Sequence, residues 1–349
     1  MTRSRDLSND QANSGGAIPP FVSGKNAIIN GGLDIWQRGT SFNPSAGSGT
    51  AYAADRWQIS QGSIGSNTVV TATQQTTGLA GSQYCIRYAR NSGVTNTGTI
   101  YLTQSLETVN SIPFQGKVVT VSFYARAGAN YSASGNALSL NVNSGTGTNE
   151  NINAGFTGGA SFIAVTATLT TTWQRFTYTG TVPSNATQLG FYFSSTLTGT
   201  AGAADYFEIT QFQLEQGSVA TPFSRAGGSI GGELALCKRY YHRLYNISAA
   251  QVYASYGFGI ATSTTGASVG VQFPVPMRIP PSLGSDWSTL QLTDYVASYV
   301  VTALALGDGK NENFTTLDVT VASGLTQYRP YFIRNGNSVN GYIGLSAEL

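Results

Sequence analysis

Charge is the first thing this sequence lacks. Asp, Glu, Lys and Arg make up 10% of its 349 residues, against about 25% in an average soluble domain. That shortage excludes a disordered polyelectrolyte and a salt-bridged helical bundle. The formal net charge of +2 supplies no broad basic field, so nucleic acid is not an expected partner. A single histidine and two cysteines leave little material for a metal site or a thiol mechanism. Cys85 and Cys237 stand far apart in different contexts and read as two buried free thiols rather than a disulfide. No run approaches the roughly 18 apolar residues of a membrane helix, so membrane insertion is not expected. The first residues carry positive charge with no apolar run behind them, unlike a secretory signal. The expectation is folding in a reducing cytoplasm and exit by a route such as lysis.

Glycine (42), tyrosine (19) and uncharged polar residues take the place of the missing charge. This is the profile of an all-β chain punctuated by turns. Residues 1–25 are polar, with Gly15-Gly16 and Pro19-Pro20. They bury too little to fold alone, and read either as a disordered tail or, more sharply, as an arm that docks on a partner. Over 26–226 strand patterns follow one another. Val119, Val121 and Phe123 alternate with Thr120, Ser122 and Tyr124, and Leu189, Phe191 and Phe193 with Gly190, Tyr192 and Ser194. This period of two marks half-buried strands. Between Phe207, Ile209 and Phe212, Leu214 the phase slips by one, which predicts a β-bulge. Short strands with Gly-rich connectors predict a two-sheet jelly-roll sandwich.

Residues 227–248 form a Gly-rich linker followed by a helix. Over Glu233–Tyr245, Leu234, Cys237, Tyr241 and Leu244 fall at i, i+3, i+7 and i+10, one helical face. The stripe reads as core against the sandwich or, in a fibre, as the contact around a three-fold axis. Gly227-Gly-Ser-Ile-Gly231 matches a nucleophile elbow, but no buried strand precedes it and the base-acid order is missing. A linker is the better reading. Residues 249–349 return to strands as a smaller antiparallel β domain. Asp308-Gly309 and Asn335-Gly336 are two-residue hairpin signals there.

Two segments carry a family resemblance. One is Asn26 to Gly39 (NAIINGGLDIWQRG) with Ala54-Asp-Arg-Trp57. The other is Phe207 to Gly217 (FEITQFQLEQG) with Thr221-Pro-Phe223 and Glu233 to Tyr241. Together they resemble tailed-bacteriophage tail fibre or tail proteins, and 26–225 is similar to carbohydrate-binding jelly rolls. The Met1 to Leu7 start resembles the virion-proximal end of such fibres. The resemblance implies a homotrimer that docks on other virion proteins through Arg3, Arg5, Asp6 and Leu7 and attaches to a host surface glycan or receptor. In such jelly rolls a structural calcium often bridges the opening turn and the closing strand. The matching carboxylates here are Asp34 in the opening segment and Asp205, with Glu208, at the closing one; a surface position for Asp34 and a turn-capping role for Asp205 are the simpler readings, and otherwise no cofactor is implied.

Among the indoles, Trp57 and Trp173 read as core and Trp36 as packing over a sheet edge. Trp287 lies in a loop-like stretch and is the best exposed contact. Tyr295, Tyr299, Tyr328 and Tyr331 share its domain, and such residues serve glycan recognition or a subunit interface equally well. Candidate acidic pairs for a glycosidase, Asp286 with Asp294 or Glu107 with Glu150, are not distinguished from solvated loop residues. The expectation is a non-enzymatic virion protein, a tail fibre or receptor-binding protein. The alternatives are a head fibre or capsid decoration protein without a receptor and, more weakly, a glycan-degrading tail enzyme.

Overall fold

The computed structural model describes residues 24–44, 49–62, 64, 69–246 and 248–349. The docking residues Arg3, Arg5, Asp6 and Leu7 lie outside the described residues. The chain divides into two compact units, residues 1–234 with Leu349, and residues 235–348.

Among the described residues, twelve strands build the first unit. They are β1 (Ser41–Phe42), β2 (Thr50–Tyr52), β3 (Gln58–Gln61), β4 (Val70–Thr76), β5 (Tyr84–Arg90), β6 (Gly98–Ser105), β7 (Val118–Ala127), β8 (Ala137–Gly145), β9 (Ala160–Thr168), β10 (Gln174–Thr181), β11 (Gln188–Leu197) and β12 (Tyr206–Gln216). They form two antiparallel sheets, ordered β1-β4-β5-β12-β7-β10 and β2-β3-β6-β11-β8-β9. The apolar phase of each strand points between the sheets, as the alternation predicts. Phe123 of β7 meets Phe193 of β11 edge-on at 4.8 Å, and Phe191 lies 4.3 Å from Phe212. Trp57 is fully buried and packs edge-on against both Phe191 and Phe212. Burying a Phe in such a core contributes roughly 1.5–3 kcal/mol. Strand β7 is covered on both faces, since Thr120 and Ser122 are buried as well.

The predicted bulge is present. The register of β12 against β7 shifts between Thr210 and Gln213, and Gln211 takes a left-handed φ of 52°. Ile209 and Phe212 are thereby both fully buried. The opening segment docks on this bulge: the Phe212 N–H donates to the Gly31 carbonyl at 2.8 Å. A Cβ on Gly31 would lie 2.0 Å from the Phe212 carbonyl oxygen, so the close approach requires glycine. The two segments that carry the family resemblance are therefore one structural joint.

The helix is shorter than the spacing predicts and starts earlier, at Ile230–Lys238. Ser229 caps it, its Oγ accepting the Gly232 N–H at 3.1 Å. Glu233 in the first turn and Lys238 in the last suit the helix dipole. Gly231 and Gly232 lie inside it rather than before it. The unit boundary falls within this helix, between Leu234 and Ala235. Tyr241–Tyr245 is a strand, β13, paired with the C-terminal strand. The stripe of Leu234, Cys237, Tyr241 and Leu244 therefore does not exist as one helical face: Leu234 and Cys237 lie on the helix, Tyr241 and Leu244 on β13. The aromatic-rich Tyr240-Tyr-His-Arg-Leu-Tyr245 run satisfies its backbone better in a ladder than in a helix.

The second unit continues with β14 (Ser255–Ala261), β15 (Gly266–Gln272), β16 (Ser282–Asp286), β17 (Leu290–Thr293), β18 (Ser298–Leu306), β19 (Phe314–Val321), β20 (Pro330–Asn335) and β21 (Tyr342–Ser346). Six of these close a barrel, β14-β15-β19-β18-β17-β20, beside a three-stranded sheet β13-β21-β16. Closure removes the sheet edges. Neither hairpin signal forms its predicted turn. Residues 307–313 separate β18 from β19, and Asp308 and Gly309 have no left-handed φ. Asn335 ends β20 and is buried. Its Nδ2 donates to the Gly341 carbonyl at 2.8 Å and its Oδ1 accepts from Thr289 at 2.9 Å, so it braces a loop instead of turning one.

Cys85 and Cys237 are free and buried, and burial pushes the Cys85 thiol up to about 12. His242 on β13 is 6% exposed, and its Nδ1 has no partner. Burial, with the nearby Lys238 charge second, pushes its pKa down from 6.5 to about 4. The unfolded chain thus binds a proton that the folded chain refuses between these two values. Stability is full above about pH 6.5, falls as pH drops towards 4, and levels off below. The loss should total roughly 3 kcal/mol. Urea denaturation of the second unit across this range measures it, and His242→Gln should flatten this part of the pH dependence.

Candidate functional site

The outward phase of the second sandwich sheet carries a cleft. On β6, Ile100 and Leu102 point into the core while Tyr101 and Thr103 point out; on β11, Phe191 and Phe193 point in while Tyr192 and Ser194 point out. The register sets Tyr101 opposite Ser60 on one side and Ser194 on the other, and Tyr192 opposite Thr103. Tyr101 and Tyr192 meet edge-on at 6.0 Å. Thr50, Ser60, Gly62, Ile152 and Asn153 complete the walls of a space of about 280 Å³. Asn153 Nδ2 donates to Thr103 Oγ1 at 2.9 Å and also to Gln58 Oε1, fixing the amide at the rim. Burial first, and Tyr101 second, raise the pKa of the Tyr192 hydroxyl above its usual value, so at neutral pH it remains a donor. Two half-buried rings among hydroxyls and amides, with no charge in the lining, suit a neutral polyhydroxylated ligand.

The sequence-predicted contact residues are dispersed. Tyr331 is 1% exposed and belongs to the barrel core, where its hydroxyl accepts the Thr326 N–H; it cannot touch a ligand. Tyr299 is half-buried and packs edge-on against Tyr331 at 6.0 Å. Trp287 is exposed in the turn between β16 and β17, and Tyr328 is exposed between β19 and β20. Tyr295 is exposed but packs on Phe332 at 5.5 Å. Among the described residues no ring contact joins Trp287, Tyr295 and Tyr328 to one another. Trp173 is half-buried under the Arg126 guanidinium at 4.7 Å, not in the core.

The two carboxylates proposed for calcium are each taken by an arginine. Asp34 is not a surface residue; its side chain is 6% exposed and accepts from Arg225 Nε at 2.8 Å. Asp205 is fully buried and accepts from Arg90 Nε at 2.8 Å and from the Ser132 N–H at 2.8 Å. A cation bound at either would have to displace a guanidinium, so this donor set does not fit calcium. Glu208 is likewise held, by Arg87 and Arg126. Among the described residues no three His, Cys, Asp or Glu side chains gather as a metal set.

Tyr101 and Tyr192 lie on strands and not on the loops where exposed aromatics are ordinarily sought. The signal was an aromatic on the polar phase of an otherwise alternating strand, where a hydroxyl or amide is the ordinary occupant.

No family model matches the chain, and no curated protein matches it. Carbohydrate-binding modules are among its structural neighbours. A CBM4 module is similar over 54% of this chain and 100% of its own, at 16% identity and a TM-score of 0.31. TmCBM61, solved with β-1,4-galactotriose, is similar over 55% and 99%, at 14% identity and a TM-score of 0.33. The enzymatically active domain of tailspike protein 4 of bacteriophage CBA120 is similar over 55% of this chain and 21% of its own, at 12% identity and a TM-score of 0.35. At such low identities and TM-scores, the fold and the site rest on the chain's own strands and side chains.

Proposed function

We propose that this chain is a non-enzymatic glycan-binding protein that serves as an attachment element of a phage virion, a tail fibre or receptor-binding protein. The observation that carries the binding reading is the cleft on the second sandwich sheet, where Tyr101 and Tyr192 stand among Ser60, Thr103 and Asn153. A pyranose laid on a tyrosine ring exchanges water for apolar contact, and the surrounding amide and hydroxyls take its hydroxyl groups. Contacts of this kind are weak singly, so attachment works through several copies, each binding raising the effective concentration for the next. The virion assignment is supported by the resemblance of the first seven residues and of the joined 26–39 and 207–217 segments to tail proteins.

A glycan array on the full chain tests the binding reading. Tyr192→Ala and Tyr101→Ala should each weaken the bound neutral glycans about tenfold while leaving the melting temperature within a few degrees. Unchanged binding in both variants would move recognition elsewhere. Imaging a virion labelled on this chain decides between tail and capsid.

A further inference from the structure

The barrel of the second unit carries a different kind of surface. Phe258 of β14 lies opposite Phe332 of β20, with ring centroids 6.3 Å apart. Tyr295 closes on Phe332 from the β17–β18 turn at 5.5 Å. Two residues along β20, the Arg334 guanidinium sits 4.9 Å from the Tyr253 ring and 5.6 Å from the Tyr295 ring. Phe258 and Tyr295 are each 69% exposed and Tyr253 is 51% exposed. Exposed aromatics gathered this way mark an interaction site on a soluble domain.

Arg334 decides what kind. Among the described residues its guanidinium makes one hydrogen bond, from Nη2 to Ser298 Oγ at 3.2 Å, and its Nε is buried without a partner. Among the described residues no carboxylate pairs with it: the nearby Asp294 is taken by Arg329 at 2.8 Å and by the Val296 and Ala297 N–H groups. Those same turn bonds, with Thr293 Oγ1 accepting the Tyr295 N–H at 3.0 Å, hold Tyr295 at a φ of 65°. A bulky aromatic in that region is strained and must be held there by its surroundings. The turn therefore presents a preset ring beside an unneutralised cation.

We infer that this face is a second glycan site, independent of the sandwich cleft, and that it takes an acidic sugar. The pyranose lies over Phe258, Phe332 and Tyr295, and its carboxylate pairs with Arg334. Charge complementarity favours this occupant over a second copy of the chain packed symmetrically on the same face, which would bring two Arg334 cations together with no acid between them.

The test is an array of sialosides and of glucuronate and galacturonate oligosaccharides beside their methyl esters, neutral counterparts, and sulfated and phosphorylated sugars. The full chain should bind carboxylated glycans and lose them on esterification. Raising salt from about 0.05 to about 0.5 M should weaken this binding. Arg334→Gln should lower affinity about tenfold or more, Arg334→Lys should retain part of it, and Phe258→Ser should also weaken it. The Tyr101→Ala Tyr192→Ala double variant should bind acidic glycans normally, which separates this site from the cleft. The inference is overturned if no carboxylated glycan binds, if the esters or the sulfated and phosphorylated sugars bind as well, or if Arg334→Gln binds like the parent. It is equally overturned if Phe258→Ser turns an oligomer into a monomer in sedimentation, since the face is then a subunit interface.

Discussion

Replacing Asp205 with alanine should destabilise the sandwich by about 3–5 kcal/mol. Neither Asp205 nor Arg90 has any side-chain exposure. Arg90 donates to Asp205 and, through Nη1 and Nη2, to the carbonyls of Asn96, Gly199 and Thr198, each at 2.8 Å. It thereby ties the β5 end to two loops. Removing the carboxylate leaves a guanidinium in the interior with carbonyls but no counter-charge, and strips the Ser132 N–H and hydroxyl of their acceptor. The loss should far exceed what the pair adds over an apolar pair of the same size. Urea denaturation measures it. Asp205→Leu combined with Arg90→Met should recover a large part of the stability, whereas Asp205→Ala alone costing under about 1 kcal/mol would show that water reaches the site.

Asn30→Ala should cost about 3–4 kcal/mol. Asn30 is fully buried at a φ of 57°. Its Nδ2 donates to the carbonyls of Ile35 and Asp55 at 2.8 and 3.0 Å, and its Oδ1 accepts the Ile35 N–H at 3.0 Å. Its own carbonyl accepts from Trp57 Nε1 at 2.9 Å, and its N–H donates to Glu233. Alanine forfeits three side-chain hydrogen bonds and adds left-handed strain. Asn30→Gly forfeits the bonds without the strain, so it should be more stable than the alanine variant by about 1 kcal/mol. If the two variants melt alike, backbone strain contributes nothing here. Glu233 shares the joint: it also accepts the Gly227 N–H at 2.7 Å, and burial raises its pKa.

These two networks show what was legible in the residues. Alternation along β7 and β11, the slipped phase at Ile209 to Phe212 and the Gly-rich connectors lead to a sandwich because each strand has one strongly apolar phase. The pairing of Arg90 with Asp205 was not legible, since 115 positions separate them and either residue alone resembles a surface charge. Tyr241–Tyr245 satisfies both a helical spacing and a strand propensity, and only the distant Tyr342–Ser346 partner decides between them. Asn335-Gly336 has the residues of a tight turn but lies where β20 leaves the barrel, so its amide is spent on Thr289 and Gly341. The candidate sites were the least legible part. A tyrosine on the polar phase of a strand becomes a binding wall only when its neighbours across the sheet are small and polar, as Ser60, Ser194 and Thr103 are around Tyr101 and Tyr192. Arg334 stays without a carboxylate partner among the described residues because Asp294 pairs with Arg329 instead.

The most direct test of the central claim is a crystal of the full chain soaked with the neutral oligosaccharide that binds best on the array. A sugar ring should lie on Tyr101 or Tyr192, with its hydroxyl groups within hydrogen-bond reach of Ser60, Thr103 or Asn153. A neutral sugar bound away from the second sandwich sheet, or no neutral glycan bound by the array at all, would contradict it.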